Sequence, residues 1–270
     1  MNLHFRSETM NCSECDKPFE AKIFKSTNKP LSPLCYECRA KHREILDKAE
    51  KDAAEAQIKE LRDNWLKRSG IPHKFLNESL NTFQDRGANT ADILFQCQEY
   101  AKNFPAISAV SYRSFILVSP RRWGVGKSHL ACGIGKYVIE KWLSWKEISP
   151  VYYATEQDML RRVRSTFNRD NGETEEQVFA HLTNVPLLII DDMGKEEVSD
   201  PRFVQRFWFS LVNGRYENEL PMVITSNLNP DEIATYLGGG RGNEATFDRI
   251  YEMVKGEMLE IEGQSKRRGL

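Results

Sequence analysis

The sequence predicts an α/β fold in which a parallel β-sheet is covered by helices on both faces. Three observations support it. Short runs that are apolar at every position, such as Leu187-Leu188-Ile189-Ile190, alternate with longer stretches of helical periodicity. Strands apolar throughout are buried on both faces, the condition of a parallel sheet inside a layered domain. A glycine-bearing turn, Arg122-Trp123-Gly124-Val125-Gly126, joins the first such run to the first strong helix, and Asp191 and Asp192 follow the most apolar run directly. Both features fall at the carboxyl ends of strands, where open α/β sheets build their sites.

Three segments follow one another along the chain. Residues 1–40 are poor in helix signals and hold two CxxC pairs, Cys12/Cys15 and Cys35/Cys38. Residues 41–69 are nearly free of Gly and Pro and mix charges of both signs. They read as a helical linker with a weak apolar stripe at Leu46, Ala49, Ala53 and Ala56, then Ile58, Leu61 and Trp65. That stripe suits either a solvated spacer or a helix that meets a partner. Ser69-Gly70-Ile71-Pro72 breaks it, and residues 70–270 form the α/β domain. Within that domain strands are expected at 115–119, 151–154, 187–191, 222–226 and 258–261. Helices are expected at 127–142, 156–167, 174–182, 201–216, 231–236 and 246–254.

Composition narrows the function. With 270 residues, 40% of them hydrophobic and 29% charged, the chain can bury a sizeable core. A net charge of −1 gives no global attraction to nucleic acid, so any basic contact surface must be local. There is no amino-terminal apolar stretch and no run of eighteen apolar residues, so a cytoplasmic location without membrane spanning is expected. Of the six cysteines, Cys97 and Cys132 lie singly in helical patterns and are expected as inert core thiols.

The turn at 122–128 carries the chemistry of phosphate binding. Glycines let the backbone wrap closely around phosphates, and the amides with the helix N-terminus offer positive potential. The turn supplies Trp123, Gly124, Val125, Gly126, Lys127, Ser128 and His129 as nucleotide-contacting candidates. Lys127 would reach the β- and γ-phosphates of ATP, or the β-phosphate of ADP, and Ser128 with Asp191 would hold Mg²⁺. Arg121 stands where this motif ordinarily has its first glycine, so that position must be strained or the loop entrance reshaped. Asp192 would orient or deprotonate the attacking water. Asn227, at the tip of the strand ending Val223-Ile224-Thr225-Ser226, would touch the γ-phosphate or that water. The four paired cysteines, nineteen residues apart between pairs, suit a closed tetrahedral Zn²⁺ site, which would stabilise a segment too small to fold on its own core.

Several of these stretches together resemble the DnaC/DnaI-type helicase loaders and their IstB-like AAA+ ATPase relatives. They are Gly70-Ile71-Pro72-His73-Lys74-Phe75 with Thr82-Phe83, then Gly126-Lys127-Ser128-His129-Leu130 and Leu188-Ile189-Ile190-Asp191-Asp192-Met193-Gly194. Asn213-Gly214-Arg215-Tyr216-Glu217, Thr225-Ser226-Asn227-Leu228, and Ile261-Glu262-Gly263-Gln264-Ser265 with Arg267-Arg268 complete the set. The resemblance covers about residues 70–268. It implies a P-loop AAA+ ATPase core without a carboxy-terminal lid, which binds single-stranded DNA, assembles side by side and delivers a replicative DNA helicase.

The resemblance also implies Arg249, in Phe247-Asp248-Arg249-Ile250, as the arginine acting on a neighbour's γ-phosphate, with Arg241 as the alternative and Arg215 as a second interface residue. Asp192 departs from the family, which usually has Glu there. In some helicase loaders an amino-terminal zinc module docks the helicase. Arg161, Arg162 and Arg164, with Lys25, Lys29 and Arg39 near the cysteines, are the candidate DNA contacts, or else a solvated basic face. Two other readings stay open: an IstB-like transposition helper, and an adaptor that holds nucleotide without turnover.

Overall fold

The computed structural model describes residues 4–85, 87–144, 146–167, 172–195, 200–238 and 244–265, so Arg241, Arg267 and Arg268 lie outside it. The chain divides into two compact units, Met1–Glu60 and Leu61–Leu270. In the first, strands β1 (Phe5–Asn11) and β2 (Pro18–Phe24) pair antiparallel, and helix α1 (Tyr36–Arg68) begins between the last two paired cysteines. Cys12, Cys35 and Cys38 form a buried cluster, with Phe19 and Leu34 packed beside them, and Ala21 and Ile23 of β2 are buried as well. Along α1, residues 41–57 are all exposed, including Leu46 of the expected stripe at 62%.

The second unit opens with single helical turns at His73–Phe75 and Leu80–Thr82, then helix α2 (Thr90–Asn103). Next come β3 (Phe115–Val118), α3 (Lys127–Lys141), β4 (Val151–Thr155), α4 (Glu156–Ser165), α5 (Glu175–Asn184) and β5 (Leu187–Met193). The chain continues through α6 (Pro201–Glu217), β6 (Met222–Ser226), α7 (Pro230–Tyr236), α8 (Ala245–Met253) and β7 (Leu259–Glu260). The five strands form one parallel sheet in the order β4-β5-β6-β3-β7.

Two-residue periodicity explains the three layers. Leu187 and Ile189 of β5, Phe115 and Leu117 of β3, and Val223 of β6 join a core cluster with α2 and α3. Their neighbours Leu188 and Ile190, Ile116 and Val118, and Met222 and Ile224 join a second cluster with α4, α5 and α6. Alternate side chains of a strand point to opposite faces, so helices on both faces bury every position. Each such residue contributes about 1.5–3 kcal/mol. Cys97 and Cys132 are fully buried, and burial alone pushes the Cys97 thiol well above its ordinary range. Among the described residues no helix is long and apolar enough to cross a membrane.

One sequence expectation is overturned. Arg215, expected at an interface between subunits, is completely buried, and its guanidinium donates to the carbonyls of Leu182 and Val185 at 2.7 and 3.0 Å and of Pro221 at 2.5 Å. It satisfies main-chain acceptors where α5 ends and β6 begins, and is thus a structural clamp. Gly214 beside it lets the helices approach, because a Cβ there would lie 2.6 Å from Thr183 Cγ2. Replacing Arg215 with Met should lower the unfolding free energy of this unit by about 3 kcal/mol, since buried carbonyls lose charged donors. Urea titration followed by near-ultraviolet circular dichroism measures it, and an unshifted midpoint would contradict the clamp.

Candidate functional site

The order β5-β6-β3 creates a switch point. Strand β6 lies between the strand that feeds the glycine turn and the strand that ends in the aspartates. Crevices at such points receive ligands in open α/β sheets. Residues 119–126 curl out of β3 and re-enter as α3, whose N-cap Gly126 is left-handed at φ 106°. A Cβ on Gly126 would meet the Phe83 ring at 2.5 Å, so only glycine fits. Arg121 takes φ 56°, a left-handed conformation that favours glycine, at a cost of about 1–2 kcal/mol. The non-glycine residue is therefore strained in place.

Lys127 is buried, and its ammonium donates to Ser119 Oγ and, at 2.6 Å, to Asn227 Oδ1. The lysine of the turn and the polar residue at the tip of β6 are thus adjacent. Asp191 is 4% exposed and accepts from Ser128 Oγ (2.9 Å) and Thr225 Oγ1 (2.5 Å) on Oδ1, and from Tyr153 OH (2.6 Å) on Oδ2. Burial and then the Asp191 charge push the Tyr153 hydroxyl well above the ordinary tyrosine range, which keeps it a donor.

Asp192 reaches the same cleft because β5 carries a bulge. Its register against β6 jumps from Ile190↔Ile224 to Met193↔Ser226, with Asp192 at φ 59°. In a regular strand two consecutive side chains would face opposite ways. The left-handed residue turns both carboxyls to one side, and Thr225 Oγ1 accepts from the Asp192 amide at 3.0 Å. The Asp192 carboxylate accepts from Lys195 Nζ at 2.9 Å.

The cleft is lined by Trp123 to His129, Asp191, Asp192 and Asn227, and also by Lys74, Phe75, Glu78 and Lys195. Lys74, Phe75 and Glu78 were not assigned to the site from sequence. They arrive because segment 70–83 folds back over α3, where Lys136 Nζ donates to the carbonyls of Leu76 and Glu78. His129 donates through Nε2 to Ser79 O at 2.7 Å and lies 3.4 Å from Glu78, so its ring holds this segment in place. The membership of Lys74 and Phe75 in the family-like stretch was the available signal. Tyr153 and Thr225 were also unassigned, and nothing in a strand pattern marks them.

These residues fit a magnesium nucleotide. Ser128 and Asp191 offer adjacent oxygens for a hard cation, which would neutralise phosphate charge. Lys127, Asn227 and the amides of the glycine turn would be the groups to meet the phosphates.

In the first unit the ligand sulfurs of Cys12, Cys15, Cys35 and Cys38 lie within 4.8 Å of one another, with Cys15 and Cys35 3.8 Å apart. Thiolates about 2.3 Å from a tetrahedral zinc stand about 3.8 Å apart, so the donor set fits Zn²⁺. The amide of Cys35 donates to Cys12 Sγ at 3.3 Å, and this and the Cys15 amide draw the Cys12 thiol down to about 6. His42, four residues beyond Cys38, pairs with Glu14 at 3.0 Å.

The remaining expected residues are dispersed. Arg249 on α8 lies over the rings of Phe209 (5.6 Å) and Tyr216 (5.9 Å) on α6. On α4, Arg162 is committed to Glu173 at 2.5 Å, and Arg164 lies over Phe203. Arg161, its side chain 69% exposed, is 3.4 Å from Asp158. Segment 156–182 forms the expected pair of helices, α4 and α5.

A parallel sheet flanked by helices, with this cradle and acidic pair at its switch point, defines a P-loop core of the AAA+ type. A model of the "IstB-like ATP binding protein" family matches residues 100–269, and the chain belongs to that family. It is 32% identical over 185 residues to the replicative helicase loader DnaC of Buchnera aphidicola subsp. Baizongia pistaciae, covering 68% of each chain. To an ATP-binding protein of insertion sequence IS5376 from Geobacillus stearothermophilus it is 29% identical, over 53% of this chain and 52% of that one. A crystal structure of the DnaC helicase loader superposes with a TM-score of 0.56 at 24% identity, covering 71% of this chain and all of that one, a likeness of fold.

Changing Lys127 to Ala should weaken ATP binding by at least about 100-fold, measured with a fluorescent ATP analogue, because the buried cation has no substitute. Unchanged affinity would remove the phosphate assignment. Chelation of zinc should abolish the ellipticity of the β1–β2 unit and leave the melting transition of Leu61–Leu270 in place, because the two units bury separate cores. Joint melting would contradict this.

Proposed function

We propose that the chain is an ATP-hydrolysing loader of a replicative DNA helicase. The observation that carries this reading is likeness to proteins named replicative helicase loader DnaC across 68% of both chains, in a chain whose Lys127, Ser128, Asp191 and Asn227 converge on one cleft. Lys127 and the turn amides bind the β- and γ-phosphates, and Ser128 and Asp191 hold Mg²⁺. Asp192, turned into the cleft by the bulge, orients the attacking water and accepts its proton. Asn227 leaves Lys127 for the γ-phosphate or the water. Arg249 of one subunit completes a neighbour's site in a side-by-side assembly, stabilising the charge that builds on the γ-phosphate.

Single-stranded DNA is held by backbone contacts from the α4 region, with Arg161 the most available cation and Arg162 reserved for Glu173. The zinc unit and the exposed stretch of α1 form the helicase-docking arm. A domain division at about residues 40 and 70 suits this, with the linker formed by α1.

The likeness to the IS5376 protein favours a second reading, a transposition helper working on duplex DNA with the same ATPase core. Retention of nucleotide without turnover is the weaker alternative, since Lys127, Ser128, Asp191 and Asp192 are all present.

Co-purification with the host's replicative helicase, with and without ATP, separates loader from helper: a stable complex is expected, and its absence in both conditions would contradict the loader. Arg249→Ala should leave ATP affinity unchanged and lower DNA-stimulated turnover by roughly 1,000-fold or more. Wild-type turnover would place the finger elsewhere.

A further inference from the structure

Glu156, the first residue of α4, lies in the core at 1% exposure. Its carboxyl group gathers donors from three parts of the fold. The amide of Gly194 donates to Oε2 at 2.7 Å, while Trp208 Nε1 of α6 and Tyr236 OH of α7 (2.9 Å) donate to Oε1. Gly194 is two residues beyond Asp192, on the turn that leaves the bulged end of β5. A carboxyl group is costly to bury without such partners, and an apolar residue here would take this acceptor from the Gly194 amide, Trp208 Nε1 and Tyr236 OH. The turn it holds is the one that aims Asp192.

We propose that Glu156 is a positioning residue for hydrolysis, fixing the 192–194 turn so that Asp192 faces the γ-phosphate. The same carboxyl ties the turn through Trp208 to α6, the helix whose Phe209 and Tyr216 carry Arg249. One buried group therefore sets the backbone behind the water-orienting aspartate and the helix on which the trans-acting arginine is stacked. The proposal rests on the ATPase reading above.

The test uses the full chain, with Glu156→Gln as the main variant and Tyr236→Phe as the mild one. Glu156→Gln keeps the size of the side chain but cannot accept on both termini. Nucleotide affinity is expected within two-fold of wild type, while single-turnover hydrolysis falls roughly 10- to 100-fold, the scale of a catalytic group displaced by about 1 Å. Tyr236→Phe, which removes one donor and leaves the Gly194 contact, should give a smaller loss in the same direction.

A double-mutant cycle with Asp192→Asn distinguishes positioning from general damage. If Glu156 acts through Asp192, adding Glu156→Gln to Asp192→Asn costs less rate than Glu156→Gln costs alone, whereas fully additive losses overturn the proposal. Hydrogen exchange of the Gly194 amide supplies a readout independent of turnover. It should quicken in Glu156→Gln, and unchanged exchange overturns the proposal whether or not hydrolysis occurs. A wild-type protein that binds ATP but never hydrolyses it would sink the ATPase reading instead.

Discussion

The site depends on one carboxylate being held from three directions. Asp191 lies at 4% exposure and accepts hydroxyl hydrogen bonds from Ser128 on α3, Tyr153 on β4 and Thr225 on β6. A lone buried carboxylate would be costly, and each hydroxyl offsets part of that cost. Because the donors come from neighbouring strands and from the helix after the glycine turn, satisfying this group also sets where the cradle stands over the sheet. Ser128 is the mobile member, since its oxygen is also one a magnesium ion would claim. Tyr153 and Thr225 are buried in the sheet and keep the carboxylate oriented through such an exchange.

Part of the backbone strain falls where the chemistry is expected. Two non-glycine residues at the site, Arg121 and Asp192, take left-handed backbone conformations. Each costs about 1–2 kcal/mol, a strain that survives only where the surroundings over-determine it. At Asp192 the gain is geometric: the bulge brings consecutive carboxyls to one cleft, an arrangement a regular strand forbids. Aspartate tolerates this backbone better than a longer or branched residue, which suits the shorter acid found where the family usually has glutamate.

Much of this was legible in the chain because it rests on local pattern. Four-residue apolar runs announce buried strands, and Gly126-Lys127-Ser128 between a strand and a helix announces the phosphate cradle. What escaped depends on distant contacts. Strand β1 is largely exposed and shows no apolar alternation. Strand β2 does alternate Phe19, Ala21 and Ile23 with Glu20 and Lys22, but over only a few residues. Tyr153 looks like any interior strand aromatic until the parallel pairing of β4 with β5 sets it beside Asp191. Lys74, Phe75 and Glu78 reach the cleft only through the fold-back that Lys136 pins. Arg215 looked like an exposed cation and proved to be a buried one, because carbonyls more than twenty residues away need its donors.

The central claim is that the cradle and the aspartate pair close around a magnesium triphosphate. A crystal structure with Mg²⁺ and a non-hydrolysable ATP analogue tests it most directly. Lys127 Nζ should release Asn227 and contact the β- and γ-phosphate oxygens, with the metal bound by Ser128 and backed by Asp191. Nucleotide bound away from residues 122–128, or Lys127 still held by Asn227 and Ser119 with the analogue present, would contradict the account.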